Sequence, residues 1–135
     1  MNYKVEDIEG IGPVNATILQ QAGITDTVTL LARCSDSSGR NQVIAATGLS
    51  ESRLLKWVNM ADLMRISGVG SEFSELLEAA GVDTITELRR RKAEYLAAMM
   101  EQINITRNLT RTVPSVTQVR TWIEQAKTLE PTISH

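Results

Sequence analysis

The 135-residue sequence has few of the residues on which most catalytic and metal sites depend. It contains one histidine, His135, and one cysteine, Cys34, which leaves little material for histidine catalysis, a zinc site or an internal disulfide. A lone cysteine suits a reducing compartment, and the first residues lack an apolar signal segment, so we expect a cytoplasmic protein. We also expect no enzymatic activity, no metal, no cofactor and no small-molecule substrate.

Long apolar runs and strand patterns are also missing. No apolar run approaches the ~18 residues needed to cross a bilayer, so we expect no membrane contact. Aromatic residues make up only 4% of the chain, and no alternating apolar and polar run is flanked by an Asn-Gly or Asp-Gly turn. Apolar residues make up 42% and charged residues 22%, which is an ordinary balance for a globular protein. The sequence therefore predicts one all-α domain over residues 1–135.

Signals for helix ends recur along the chain and predict about eight short helices. Pro13 and Gly23 bracket the first, because proline is favoured at a helix start and glycine just after a helix end. Ser50 and Ser115 precede apolar stripes with helical spacing, so each is predicted to cap a helix. Two further caps are predicted at Ser71, before a helix to Ala80, and at Thr84, before a helix over Ile85–Arg91.

Several apolar side chains are predicted to be buried. Trp57 and Trp122 lie on amphipathic helices, which favours packing over a role as interaction aromatics. Cys34 is interpreted as a small buried hydrophobe, and the methionines as core residues. Another apolar stripe comprises Tyr95, Leu96, Met99, Met100 and Ile103.

The chain also contains an internal repeat. Residues Ile8–Gly12 match Ile66–Gly70, and both segments have the form apolar-X-Gly-apolar-Gly. The match continues through further pairs, which are Leu19 with Leu77, Ala22 with Ala80, Gly23 with Gly81, Asp26 with Asp83, Thr27 with Thr84, and Trp57 with Trp122. The repeat predicts two halves, about 1–64 and 65–130, that form a pseudo-two-fold pair sharing one core.

Each Gly-X-Gly segment resembles the helix-hairpin-helix motif, in which glycines allow a tight reversal through positive φ and the apolar residue between them fills the core. The whole chain resembles a family catalogued as a domain of unknown function built of tandem helix-hairpin-helix units. The segments that carry this resemblance are Glu9–Gly12, Leu55–Gly70, Leu76–Thr84 and Trp122–Lys127. The resemblance implies a fold but no established activity. The wider helix-hairpin-helix class commonly binds DNA backbone without sequence preference, which implies a nucleic-acid site at Gly10, Ile11 and Gly12.

The charges beside these motifs oppose phosphate binding. The net charge of the chain is −2. Asp7 and Glu9 flank the first Gly-X-Gly segment, and Glu72 and Glu75 follow the second. Because a carboxylate repels phosphate, the second segment is predicted to be a structural turn. The residues of that turn are Gly68, Val69 and Gly70.

Residues 89–127 are basic by contrast, with eight Lys and Arg against three Glu. They include a basic run, Arg89, Arg90, Arg91 and Lys92, which is either a phosphate-binding segment or a solvated helix end. Two functional hypotheses therefore stand. One is weak, sequence-independent binding of DNA or other nucleic acid through Gly10–Gly12 and the basic run. The other is a protein-interaction or self-association module that has lost the phosphate contacts. The two hypotheses differ in where the side chains of the basic run point. Nucleic-acid binding requires them to point to the same surface as the first turn.

Overall fold

The computed structural model describes residues 2–135, and its regular structure is helical. A short 3-10 helix at Val5–Asp7 precedes eight α-helices, which are α1 (Gly12–Gln21), α2 (Thr27–Cys34), α3 (Ser37–Thr47), α4 (Glu51–Leu63), α5 (Ser71–Ala79), α6 (Ile85–Leu88), α7 (Ala93–Arg107) and α8 (Val116–Thr128). Within the described residues, the one β-type pairing is an isolated bridge between Lys4 and Asp26. The all-α prediction is confirmed.

Most helix starts lie where the capping residues predict them. The side chain of Asp26 accepts a hydrogen bond from the Thr29 N–H at 2.7 Å and caps α2. Ser50 and Ser115 cap α4 and α8 in the same way. These side chains stabilise the helix starts because the first N–H groups of a helix have no partner within the helix.

Two predicted boundaries are wrong. The N-cap of α5 is Gly70, and Ser71 is the first residue of that helix. The short helix α6 ends at Leu88, because the chain continues in tight turns and becomes extended at Lys92, where φ is −96° and ψ is 129°. The basic run therefore forms a turn between α6 and α7.

The buried apolar side chains form two clusters, so the prediction of one shared core is wrong. The first cluster lies between Val5 and Met64 and includes Trp57, and the second lies between Leu63 and Ala126 and includes Trp122. The side chains of neighbouring helix residues point about 100° apart. The side chains of Leu63 and Met64, at the end of α4, therefore pack in different clusters. Both tryptophans are buried, as predicted. The pseudo-two-fold relation of the halves stays a prediction.

The sequence repeat is accompanied by a repeat of local structure at the ends of α1 and α5. Gly23 and Gly81 follow these helices, and both have φ of +87°. Arg33 donates to the carbonyl of the residue before Gly23 at 3.2 Å. Arg91 donates to the carbonyl before Gly81 at 3.5 Å and to the carbonyl of Gly81 at 3.2 Å. In both halves an arginine therefore satisfies carbonyl groups that the end of the helix leaves exposed.

A buried carboxylate joins α4 to the rest of the chain. Asp62 is 2% exposed, and its Oδ2 accepts a hydrogen bond from the Ile85 N–H at 2.9 Å. Its Oδ1 accepts from Arg65 at 2.9 Å. Arg65 also donates to the carbonyl of Glu130 and to the hydroxyl of Thr132. The pair of Asp62 and Arg65 therefore holds the start of α6 and the residues after α8 against the end of α4.

The C-terminal segment, residues 129–135, returns to the first half of the chain. Ile133 packs against the first cluster. The Ser134 N–H donates to the carbonyl of Ser35 at 2.8 Å, and the Ser134 carbonyl accepts from the buried Arg40 at 2.9 Å. This segment therefore connects the two halves in addition to α4.

The two Gly-X-Gly turns differ in their backbones. Gly10 and Gly68 have φ of +86° and +91°, as the motif predicts. Gly12 also has positive φ, at +72°, whereas Gly70 lies in the extended region with φ of −101°. The expectation of positive φ is therefore wrong for Gly70. A Cβ added at Gly68 would lie 3.3 Å from Nε1 of Trp122, so Gly68 is constrained by both its backbone and its neighbour.

We expect Gly68→Ala to lower the free energy of unfolding by about 1–3 kcal/mol, because alanine is strained at positive φ. Gly70→Ala is the control in the same turn: its backbone is not strained, but alanine is a poorer N-cap than glycine, so we expect a loss of no more than about 1 kcal/mol and smaller than that of Gly68→Ala. Urea unfolding of both variants measures the difference. Equal losses would show that the backbone of the second turn differs from this description.

Candidate functional site

The first turn, Gly10–Gly12, borders an acidic groove. This open groove has a volume of about 710 Å³, and its lining includes Glu6, Asp7 and Glu9. Among residues 2–135, those that line it include no lysine or arginine. The groove therefore presents negative charge at the position where the resemblance implies phosphate binding.

The second turn is in contact with the first through Glu9. The Ser71 hydroxyl donates to Oε2 of Glu9 at 2.9 Å, and Ser71 is the first residue of α5. The positive end of the helix dipole favours a negative group at this position. The Glu9 carboxylate therefore takes the place at which a phosphate would approach α5.

The glutamates of α5 itself lie beside cations of the same chain. Arg111 donates to Glu72 at 3.2 Å, and Nζ of Lys56 lies 3.9 Å from the Glu78 carboxylate. The pKa of Glu75 is raised, mainly because partial burial disfavours its charged form and then because Glu9 repels it. The α5 surface therefore carries a network of charges that are largely compensated within the chain.

Two members of the basic run point towards carbonyl groups of the protein. Arg89 donates to the carbonyls of Ala126 and Leu129 at 3.0 and 2.6 Å, at the end of α8. Arg91 holds the end of α5 and also pairs with Glu87 at 3.0 Å. Cations at a helix C-terminus interact favourably with the helix dipole and with its unpaired carbonyls. These two side chains therefore have structural partners in the described chain.

The remaining two members of the run, Arg90 and Lys92, are exposed. Nζ of Lys92 lies 5.9 Å from the centroid of the Tyr95 ring. The run is also distant from the first turn, because Arg91 lies at one end of α5 and Glu9 at the other. Nine residues of helix separate these ends by about 13 Å. The structure therefore does not bring the residues of the predicted nucleic-acid site into one surface.

A different surface is formed by α7. Tyr95 is 72% exposed, Met99 44% and Ile105 69%, and Ala98 is also exposed. At about 100° per residue, these four side chains lie within about a third of the circumference of the helix, and the exposed polar side chains of Gln102 and Thr106 lie between them. We call this surface the α7 face. It is an exposed apolar surface that the sequence analysis did not identify.

The predicted apolar stripe on this helix is confirmed for Leu96 and Met100, which are buried, and is wrong for Tyr95 and Met99. The predicted stripe included two pairs of adjacent residues, Tyr95 with Leu96 and Met99 with Met100. It therefore extended around more of the helix than the side that α5 and α8 cover. Apolar residues occur on all sides of α7. That pattern is the signal that would have indicated a second apolar face.

Charged residues of opposite sign border the α7 face. Lys92 lies on one edge, and Glu94 and Glu101 lie on the other, whereas Arg107 follows the buried Leu96 and Met100 on the opposite side of the helix. Glu94 pairs with Arg120 of α8 at 2.6 Å. Hydrogen bonds from its own backbone N–H and from Arg120 lower the pKa of Glu94. The α7 face therefore mixes apolar and polar side chains and has Lys92 on one edge and two glutamates on the other.

Other chemically reactive groups are scarce in residues 2–135. No group of three or more His, Cys, Asp or Glu side chains in this range is placed to hold a metal ion. No helix in the same range has the length and apolar character needed to cross a bilayer. Cys34 is buried, as predicted, and burial raises the pKa of its thiol. A buried thiol with a raised pKa is a poor nucleophile.

Comparison with known proteins identifies the family. The model of a family described as a domain of unknown function, DUF4332, matches residues 9–129. The match covers most of the chain, and the protein therefore belongs to this family. No match was found among curated proteins or among solved structures.

We expect Glu75→Gln to stabilise the protein at pH 7 by roughly 0.3–0.5 kcal/mol, a small effect because the side chain is partly exposed. The raised pKa of Glu75 means that the folded protein holds this proton more strongly than the unfolded chain. Ionisation therefore costs stability above the folded pKa, and the benefit of the variant should disappear as the pH falls to about 4. Urea unfolding between pH 7 and pH 4 measures the effect.

The control for this experiment is Glu130→Gln, at an exposed carboxylate that makes no hydrogen bond or ion pair within residues 2–135. Its effect on stability at pH 7 should be smaller than that of Glu75→Gln, because exposed surface substitutions usually change stability little. A Glu75→Gln variant that is less stable than the parent at pH 7 would contradict the charge arrangement described for α5.

Proposed function

We propose that this protein is a non-catalytic protein-interaction module that binds its partner through the α7 face. The observation that carries the proposal is the exposure of three large apolar side chains, Tyr95, Met99 and Ile105, on one side of one helix. The exposed valines of the first half, Val14 and Val28, lie on different helices. Tyr95, Ala98 and Met99 are adjacent on the helix surface, and Ile105 lies beyond Gln102 on the same side. Clusters of exposed apolar side chains mark interaction sites more often than single ones do.

The composition of the α7 face suits a protein partner. Tyrosine and methionine are enriched in interfaces, since tyrosine combines apolar area with a polar end and methionine adapts to irregular surfaces. Lys92 on one edge and Glu94 and Glu101 on the other give the face a charged border, and interfaces commonly have polar residues at their rim. An apolar surface of another protein therefore complements the α7 face.

The environment of the two turns supports a protein partner over a phosphate backbone. The groove at the first turn is acidic, and the Glu9 carboxylate lies at the start of α5. Negative groups at both positions oppose the approach of a phosphate. In this proposal the partner binds the α7 face, and the two turns have the structural role of connecting helices.

A second candidate function is weak, sequence-independent binding of nucleic acid. The observation that favours it is the exposure of Arg90 and Lys92 beside the exposed ring of Tyr95. Cations that contact the backbone and an aromatic ring that stacks on a base are the elements of single-strand binding sites. Only two cations are present at this position, so the affinity would be low and strongly dependent on salt.

Photo-crosslinking tests the proposed function. A photoreactive amino acid placed at Tyr95 should form discrete protein adducts in cells that express the protein. Val14 is the matched control position, because it is 71% exposed but lies on α1. We expect few or no adducts from Val14, and we expect Met99→Glu to remove those from Tyr95. Equal labelling at the two positions, or none at either, would contradict the proposal.

Fluorescence anisotropy with a labelled duplex and a labelled single strand tests the second candidate. At low salt, where charge interactions are least screened, we expect no saturable binding of either probe. Binding that weakens steeply with salt, and that Arg90→Ala together with Lys92→Ala reduces, would instead assign the surface to nucleic acid.

A further inference from the structure

We propose that residues 133–135, the last part of the C-terminal segment, form a strap that opens and closes on the end of α2 while the rest of the fold stays intact. This inference does not depend on the proposed function, because the strap lies against the first half of the chain and does not involve the α7 face. The observations that carry it are the contacts that hold the strap and the small number of those contacts.

The strap completes the C-terminal end of α2, whose last residue is Cys34 and whose C-cap is Ser35. The final carbonyl groups of a helix have no N–H partner within the helix. The Ser134 N–H donates to the carbonyl of Ser35 at 2.8 Å, and Arg40 donates to the carbonyl of Cys34 at 3.1 Å. The strap therefore supplies one of the donors that this helix end requires.

The side chain of Arg40 also uses the strap as a partner. Arg40 is 7% exposed and makes no ion pair within residues 2–135. Its guanidinium group instead donates to two neutral carbonyls, from Nη1 to Cys34 and from Nη2 to Ser134, the latter at 2.9 Å. A buried cation is costly unless its N–H groups have acceptors. Closure of the strap is therefore favourable, because it provides one of these two acceptors.

The other contacts of the strap are few. Ile133 is its one apolar side chain and is partly buried against the first cluster. Ser134 and His135 are exposed, and His135 adds one contact, from its Nε2 to Oδ1 of Asn59 at 3.3 Å. Segments with few buried apolar contacts and exposed backbone hydrogen bonds open at a lower free energy than the whole fold. The strap therefore has the contacts of a segment that opens locally.

The residues before the strap are held independently of it. The carbonyl of Leu129 accepts from Arg89 at 2.6 Å, and Arg65 donates to the carbonyl of Glu130 at 3.0 Å and to Oγ1 of Thr132 at 2.9 Å. Opening of residues 133–135 leaves these contacts and α8 in place. Closure connects the end of α8 to the end of α2, so the strap acts as a latch between the two halves of the chain.

Amide hydrogen exchange of the full chain, measured by NMR, tests the inference. We expect exchange of the Ser134 N–H to be slowed about 10- to 100-fold relative to an unfolded chain, and that of Val58, in the middle of α4, at least about 1,000-fold. Slowing of Ser134 equal to that of Val58 would show that the strap opens only when the whole fold opens. An unslowed Ser134 would show that the strap is not closed, and either result overturns the proposal.

Removal of the apolar contact tests what holds the strap closed. We expect Ile133→Ser to reduce the slowing of Ser134 to less than about threefold, while Val58 stays strongly protected. Val113→Ser is the matched control, because Val113 is a 40% exposed valine before α8 in the second half. It should leave the exchange of Ser134 unchanged. Ile133→Ser with the exchange rates of the parent protein would overturn the proposal.

Removal of the backbone donor is a second, independent test. Ser134→Pro deletes the N–H that bonds Ser35, whereas Ser134→Ala keeps it. We expect the ¹H–¹⁵N heteronuclear NOE of His135 to fall in the proline variant, which reports fast motion of an open strap, and to keep its parent value in the alanine variant. Equal values in the two variants would show that this hydrogen bond does not hold the strap, and would overturn the proposal.

Discussion

The buried carboxylate of Asp62 is the constraint on which the arrangement of this chain depends. A charge in a protein interior is costly unless it is paired and hydrogen-bonded. Asp62 meets this requirement through the Ile85 N–H at the start of α6 and through Arg65, which in turn holds the residues after α8. The two apolar clusters meet at the end of α4. The Asp62 contacts therefore fix α6 and the C-terminal segment relative to α4, at the point where the two clusters meet.

The placement of α6 determines what the basic run can do. With the start of this helix fixed by Asp62, the turn that follows brings Arg89 to the end of α8 and Arg91 to the end of α5. Both side chains then satisfy carbonyl groups instead of facing solvent. At the opposite end of α5, Glu9 contacts Ser71. The motif residues and cations that suggest nucleic-acid binding are thus largely used within the fold, while three of the large apolar side chains exposed in residues 2–135, Tyr95, Met99 and Ile105, lie on α7.

Features determined by neighbouring residues could be predicted from the sequence. The caps at Ser50 and Ser115, the helix end at Gly23 and the burial of both tryptophans follow from local chemistry and from helical periodicity. Contacts between distant residues could not be predicted, because no local pattern indicates that Arg89 would reach α8 or that Glu9 would reach Ser71. The α7 face was missed for a related reason. A helix with apolar residues on all sides does not reveal which side its neighbours cover.

The central claim of this account is that the α7 face, and neither Gly-X-Gly turn, is the surface through which the protein associates. The most direct test compares photo-crosslinking to other proteins in cells from three exposed positions: Tyr95 on the α7 face, Glu6 beside the first turn and Ser67 beside the second turn. We predict discrete protein adducts from Tyr95 and few or none from Glu6 and Ser67. Adducts from either turn position at a yield equal to or above that from Tyr95 would contradict the claim.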